Sequence, residues 1–277
     1  MFRFDVKCRC HTLAVAAFVL SSSPWGSSGA AELPGTWRTA SNHEGCEFYS
    51  ALHSDHAPAS WSGECQNGHA QGDGVITYNT DLGITTLSGQ FLDGVLEGDG
   101  TYETITLENE KPVPAHYKGE FRHGVPDGFG KLEVEGVYTY SGEFLQGRKH
   151  GSGNLQRGDE SYLRGIFRNG EPYMVMIDDF GSPSFRYVGG MSNGKVHGFG
   201  VMSIDKELEY EGEFKDGSFH GHGVFRIKGG NTCEGEWKDN HLIGFGNGVK
   251  NGQPVFCIME STNKVIFVDE KPDTSSN

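Results

Sequence analysis

Three groups of side chains in this sequence have the types and spacing to do chemistry. Four cysteines lie beyond the first thirty residues, Cys46, Cys65, Cys233 and Cys257, an even count that can pair as disulfides in an oxidising compartment. His43, His53 and His56 flank Cys46 together with Glu44 and Asp55, a mixed set of nitrogen, sulfur and oxygen donors of the kind that holds metal ions. Glu64, Glu120, Glu143, Glu213 and Glu236 recur in one local sequence and could line up as a carboxylate ladder along a face. Glycine strings such as Gly128-Phe129-Gly130 have the composition of phosphate loops, but they recur through the chain without the helix that a phosphate loop must open. No activated nucleophile or acid/base pair stands out, so catalysis is not expected.

The backbone that positions these groups is unusual. Of 277 residues 42 are glycine and only 35% are hydrophobic, a composition that excludes a long helical bundle and is too open for one compact core. The formal charge of −14 disfavours nucleic acid and anionic lipid headgroups.

Aligning the chain with itself explains the glycines. WSGECQNGHAQGDG from Trp61 is followed by LSGQFLDGVLEGDG from Leu87, YKGEFRHGVPDGFG from Tyr117 and YSGEFLQGRKHGSG from Tyr140. LRGIFRNGEPY from Leu163, YVGGMSNGKVHGFG from Tyr187, YEGEFKDGSFHGHG from Tyr210 and CEGEWKDNHLIGFG from Cys233 complete eight copies. Their first glycines, Gly63, Gly89, Gly119, Gly142, Gly165, Gly189, Gly212 and Gly235, are separated by 26, 30, 23, 23, 24, 23 and 23 residues. Within a copy, Tyr140, Gly142 and Phe144 fall two residues apart and so share one face of a strand. Trp61, Tyr117, Phe121, Tyr187, Tyr210, Phe214 and Trp237 hold the same aromatic positions elsewhere. Asn67-Gly68, Asp93-Gly94, Asn169-Gly170, Asn193-Gly194 and Asp216-Gly217 then reverse the chain. Each copy reads as a β-hairpin with a glycine-bearing return strand, and Gly142 leaves room for an aromatic ring across the backbone. A lone hairpin is marginal in water, so neighbouring copies must stack.

The pattern YxGEFxxGxxHGxG with its 23-residue period resembles the MORN repeat (membrane occupation and recognition nexus), most closely at Tyr117, Tyr140 and Tyr210. The resemblance covers residues 61–249 and implies an all-β fold, an elongated, twisted antiparallel sheet of stacked hairpins. It also implies an interaction module: such arrays serve as scaffolds, dimerisation surfaces and lipid-contacting modules. Copy five departs from the pattern with Ile166 for Glu and no HGxG return, and copy six with Gly190 and Met191 for Glu and Phe. Residues 173–179 (YMVMIDD) between them are more apolar than any repeat and could be a bend, a break or a docking surface.

Stacking constrains the cysteines. Cys65 and Cys233 lie seven repeats apart, roughly 65 Å at about 4.8 Å per strand, far beyond the ~4.4–6.8 Å that a disulfide tolerates. Within one chain the pairing is therefore Cys46 with Cys65 and Cys233 with Cys257. His150, His197 and His220 share one repeat position, before the return strand, and are expected to serve turn geometry. The His43 cluster matches no standard zinc spacing and Cys46 has its disulfide role, so no metal or other cofactor is expected.

The two ends are expected to cap the array. Arg3, Lys7 and Arg9, the apolar residues 13–20 and the small residues ending at Ala31 have the order of a secretory signal peptide, residues 1–31, cleaved near Ala31. Its removal leaves 20 basic and 36 acidic residues, a charge of −16. Residues 32–60 form an N-terminal capping segment, 250–270 a C-terminal capping hairpin from PVFCIME and KVIFVDE, and 271–277 a disordered tail. The expected function is a non-catalytic protein-interaction or scaffolding module of the cell envelope or extracellular space, in the periplasm or outside the cell, with self-association open and the protein partner undefined. The alternatives are a lipid- or wall-glycan-binding module and an envelope enzyme with its site outside the repeats.

Overall fold

The computed structural model describes residues 35–51, 58–157, 162–179, 184–261 and 264–271. The expected signal segment, residues 272–277 of the tail, and His53, Asp55 and His56 lie outside the described residues. Among the described residues every regular element is a strand, and no helix is long and apolar enough to cross a membrane. The chain forms two compact units, one of the described residues up to 157 with Phe167–Gly170, the other of residues 162–166 with those from Glu171 onward.

The first unit contains β1 (Thr36–Thr39), β2 (Glu47–Ser50), β3 (Ala59–Trp61), β4 (Glu64–Gln66), β5 (His69–Thr80) and β6 (Gly83–Leu92). It continues through β7 (Val95–Glu108), β8 (Lys111–Arg122), β9 (Val125–Val134), β10 (Tyr138–Leu145) and β11 (Arg148–Arg157). From β5 to β11 each strand pairs antiparallel with the next. β3 and β4 both pair with β5, and β1 pairs with β2. The turn chemistry explains the hairpins: Asn67, Asp93, His123 and Gln146 take positive φ, each followed by a glycine that does the same. Gly63 differs from its counterparts, for it lies in a bend between β3 and β4 and not in a strand.

The N-terminal segment runs along these turns. Glu47 donates its amide to the Gly68 carbonyl and Tyr49 to the Gly94 carbonyl, both at 2.8 Å. Trp37 lies so close to Gly94 that a Cβ there would sit 2.6 Å from its ring. It thus reaches the second hairpin, beyond the first.

β12 (Tyr162–Arg168) gives Phe167 and Arg168 to the first unit and its earlier residues to the second. The second unit continues with β13 (Glu171–Asp179), β14 (Phe185–Ser192), β15 (Lys195–Ile204), β16 (Leu208–Lys215) and β17 (Ser218–Ile227). Then come β18 (Asn231–Lys238), β19 (His241–Leu242), β20 (Phe245–Lys250), β21 (Gln253–Ser261) and β22 (Lys264–Val268). β13 to β18 pair antiparallel in sequence, β18 with β20, β20 with β21, and β21 with β22.

One aromatic device repeats through both units. The Tyr117, Tyr140, Tyr187 and Tyr210 rings cross the glycines of their own hairpin, and each hydroxyl donates to the carbonyl three residues on, at 3.0, 3.0, 2.8 and 3.1 Å. Trp61 does the same with its indole N–H to Glu64, at 2.9 Å. Each ring also meets an aromatic of the next copy edge-on: Trp61 with Phe91, Tyr117 with Phe144, Tyr187 with Phe214, Tyr210 with Trp237. Such pairs add about 0.5–1.5 kcal/mol each beyond area burial. The glycines are required for contact: a Cβ at Gly142 would lie 2.5 Å from both Gly153 Cα and the Ser152 carbonyl oxygen.

Candidate interaction surface

Three of the five repeated glutamates, Glu120, Glu143 and Glu213, are tied down by a bulge, whereas Glu64 and Glu236 are exposed. In β10 and β16 the register slips by a bulge just after the glycine, between Gly142 and Glu143 and between Gly212 and Glu213; β8 has its own between Gly119 and Phe121. At the bulge the opposing strand carries a glycine at positive φ, Gly128, Gly151 or Gly221. The glutamate folds over that glycine and accepts the next backbone amide: Glu120 from Phe129 at 3.1 Å, Glu143 from Ser152 at 2.8 Å, Glu213 from His222 at 3.3 Å. A Cβ on any of these glycines would collide with the carboxylate. The motif thus couples Glu to the return-strand glycine, preceded by Asp127 in copy three and by His150 and His220 in copies four and seven, through one hydrogen bond to the following amide. His150, His197 and His220 lie within β11, β15 and β17, and not in the turns, and His150 and His220 stand opposite Glu143 and Glu213 at the bulge. The turns themselves are made by the preceding pairs, such as Gln146-Gly147.

Both expected disulfides form, Cys46 with Cys65 and Cys233 with Cys257, each with Cα atoms 5.8 Å apart. Cys233 takes the place of the repeat tyrosine, and the disulfide fills the space of the missing ring: a Cβ on Gly246 would lie 2.9 Å from Cys257 Sγ. At the other disulfide, one ring nitrogen of His43 and the two sulfurs lie within 4.8 Å of one another.

One charged residue is buried on the aromatic face of the first unit. Lys149 lies with its ammonium 4.8 Å from the Tyr138 ring centre and 5.7 Å from that of Tyr140. The equivalent positions Ala70, Leu96, Val196, Phe219 and Leu242 are apolar and buried. Burial raises the Glu108 carboxyl above its ordinary pKa, and Lys149 opposes that shift. Nothing in the sequence pattern separates Lys149 from its exposed counterparts except that alignment.

The outward face of the second unit holds the most distinctive surface. Met176 pairs across strands with Val188, and Val188 with Val201, so three apolar side chains form one row over β13, β14 and β15. The next row carries Met174 opposite Gly190, and beyond it Phe199 opposite Glu213. Met174 is 56% exposed and Phe199 63%. On β16 and β18 the apolar row gives way to Glu211 and Glu234. The departures of copies five and six from the repeat create this patch: Ile166 is exposed where a glutamate stands elsewhere, and Gly190 supplies no carboxylate beside Phe199. Arg164 and Arg186 border it, each with a guanidinium nitrogen at 4.0 and 3.9 Å from the Met176 sulfur, and Arg186 also pairs with Asp178 at 2.9 Å. Of residues 173–179, Val175 and Ile177 are buried, so the segment is a regular strand with one core face and one apolar outer face.

A family model for the MORN repeat matches residues 117–133, 140–162, 187–205 and 210–232. Comparison with curated proteins gave no match. The four matched segments contain the tyrosines whose hydroxyls close back on their own hairpins, and three of them hold the glutamates that cap the bulges. Modules of this family mediate contacts with proteins or membranes. By these matches and by the hairpins they build, the chain carries MORN repeats in these four segments.

Proposed function

We propose that this protein is a non-catalytic interaction or scaffolding module, exported to the cell envelope or extracellular space, that binds a protein partner through the outward face of β13–β15. The observation that carries the reading is the contiguous row Met176, Val188 and Val201 beside exposed Met174 and Phe199, bordered by Arg164 and Arg186. Exposed apolar side chains in contact with one another mark interaction sites, whereas scattered ones do not. Arg164 and Arg186 at the border favour a partner with carboxylates around an apolar centre. Export is supported by the basic, apolar and small-residue order of residues 1–31 and agrees with the two disulfides.

The test is a pull-down from an envelope extract with the oxidised full chain, run beside Val188→Glu and Phe199→Ser variants. The proposal expects a partner retained by the wild type and lost by both variants while their thermal midpoints stay unchanged. Co-sedimentation with neutral and anionic vesicles, equally sensitive to the two substitutions, would instead make the face a lipid contact.

A further inference from the structure

The loop that carries His43 brings a nitrogen ligand to the first disulfide. β1 ends at Thr39, and the chain turns back within six residues: Ala40 donates its amide to the Cys46 carbonyl at 2.8 Å, and Cys46 donates to the His43 carbonyl at 3.1 Å. Gly45, at φ 77°, makes the turn possible. Cys65 faces this loop from β4, held in register by its pairing with Ala70 on β5. Cys46 is buried, Cys65 half-buried and His43 exposed, so the cluster opens to solvent on the histidine side.

We propose that, once the Cys46–Cys65 disulfide is reduced, His43, Cys46 and Cys65 bind a zinc ion. Zinc takes sulfur at about 2.3 Å and imidazole nitrogen at about 2.0–2.1 Å in a tetrahedron, which puts ligand atoms roughly 3.3–3.8 Å apart. The three ligand atoms already lie within 4.8 Å of one another, so small side-chain rotations suffice. Two thiolates and an imidazole select a soft or borderline cation over magnesium or calcium. With three protein ligands, the fourth position is left to solvent.

The chemistry balances with a dithiol as reductant. It transfers two electrons and two protons to the sulfur–sulfur bond, leaving two Cys thiols and becoming a disulfide itself; zinc binding then displaces both thiol protons. The disulfide and the zinc ion are alternative cross-links between the same two segments, one for an oxidising and one for a reducing environment. Cys233 and Cys257 form the internal control, since among the described residues no third ligand accompanies them.

The experiment uses the chain after removal of residues 1–31, which carry Cys8 and Cys10, oxidised or reduced with a phosphine under argon, exposed to zinc chloride, desalted and assayed for bound metal. The expected result is one zinc ion per reduced chain and none per oxidised chain. Cys233→Ser/Cys257→Ser should retain that ion, Cys46→Ser/Cys65→Ser should lose it, and His43→Ala should weaken binding on the order of tenfold or more. Because a serine variant could fail to fold, alkylation of the reduced wild type is mapped by mass spectrometry with and without zinc. Protection confined to Cys46 and Cys65 supports the site. Retention of zinc by Cys46→Ser/Cys65→Ser, indifference to His43→Ala, or equal alkylation of Cys46 and Cys65 with and without zinc would overturn it.

Discussion

The carboxylate of Glu143 accepts the Ser152 backbone amide at 2.8 Å across the bulge that follows Gly142. This bond fixes a backbone irregularity that the repeat would otherwise leave unsatisfied, and Glu120 and Glu213 repeat it. Glu143→Ala should lower stability by about 1.5 kcal/mol, the lower end for a hydrogen bond to a charged group. The same change at Glu209, whose carboxylate shares half-buried Arg226 with Glu211, should cost less. Urea denaturation of both variants makes the comparison.

Two glycines of one hairpin should respond differently to substitution. Gly142→Val places a Cβ 2.5 Å from Gly153 Cα, a backbone neighbour that cannot step aside, and should cost about 3 kcal/mol or more. Gly147→Ala meets nothing within 4 Å and suffers only from its positive φ of 77°, a penalty of roughly 1–2 kcal/mol. Thermal midpoints of the two variants should differ in that order.

The positions of these residues show what a sequence can and cannot convey. Tyr140, Gly142 and Phe144 were legible because alternation along a strand fixes the shared face, and the cysteine pairing was legible because stacking separates the ends. The bulge was not: it is a shift in the opposing backbone, invisible until Glu143 is seen opposite His150 and not opposite Ser152, two residues further along. A signal did exist, since copies one, three, four, seven and eight keep both the glutamate and the glycine at these positions, while copy five lacks both. The apolar face of β13–β15 was read only as an irregularity in residues 173–179, because its rows are assembled from three strands and no single segment displays them.

Each disulfide should stabilise its own unit. Closing loops with sequence separations of 19 and 24 residues is worth about 3 kcal/mol apiece in the chain-entropy model. Cys233→Ala/Cys257→Ala should therefore lower the denaturation midpoint of the second unit and leave that of the first in place. Limited proteolysis followed by peptide mapping distinguishes the two.

Stability should fall above pH 10. Burial raises the hydroxyl pKa of Tyr117, Tyr140, Tyr187 and Tyr210 above the ordinary value of 10.0, with Glu120, Glu143 and Glu213 adding to the shift in their own repeats. A phenol whose folded pKa is raised contributes stability that is complete below its unfolded pKa and is lost as pH rises through the folded one. The tyrosinate absorbance of these four residues should then appear in one cooperative step together with loss of β-sheet circular dichroism. Gradual ionisation of all ten tyrosines in a folded chain would contradict the buried device.

The central claim is that the outward face of β13–β15 is where this protein holds its partner. Its most direct test is quantitative capture from an envelope extract by the wild type and by Val188→Glu at matched folding stability. The account predicts that a partner retained by the wild type is lost by the variant; equal retention of that partner by both proteins would contradict it.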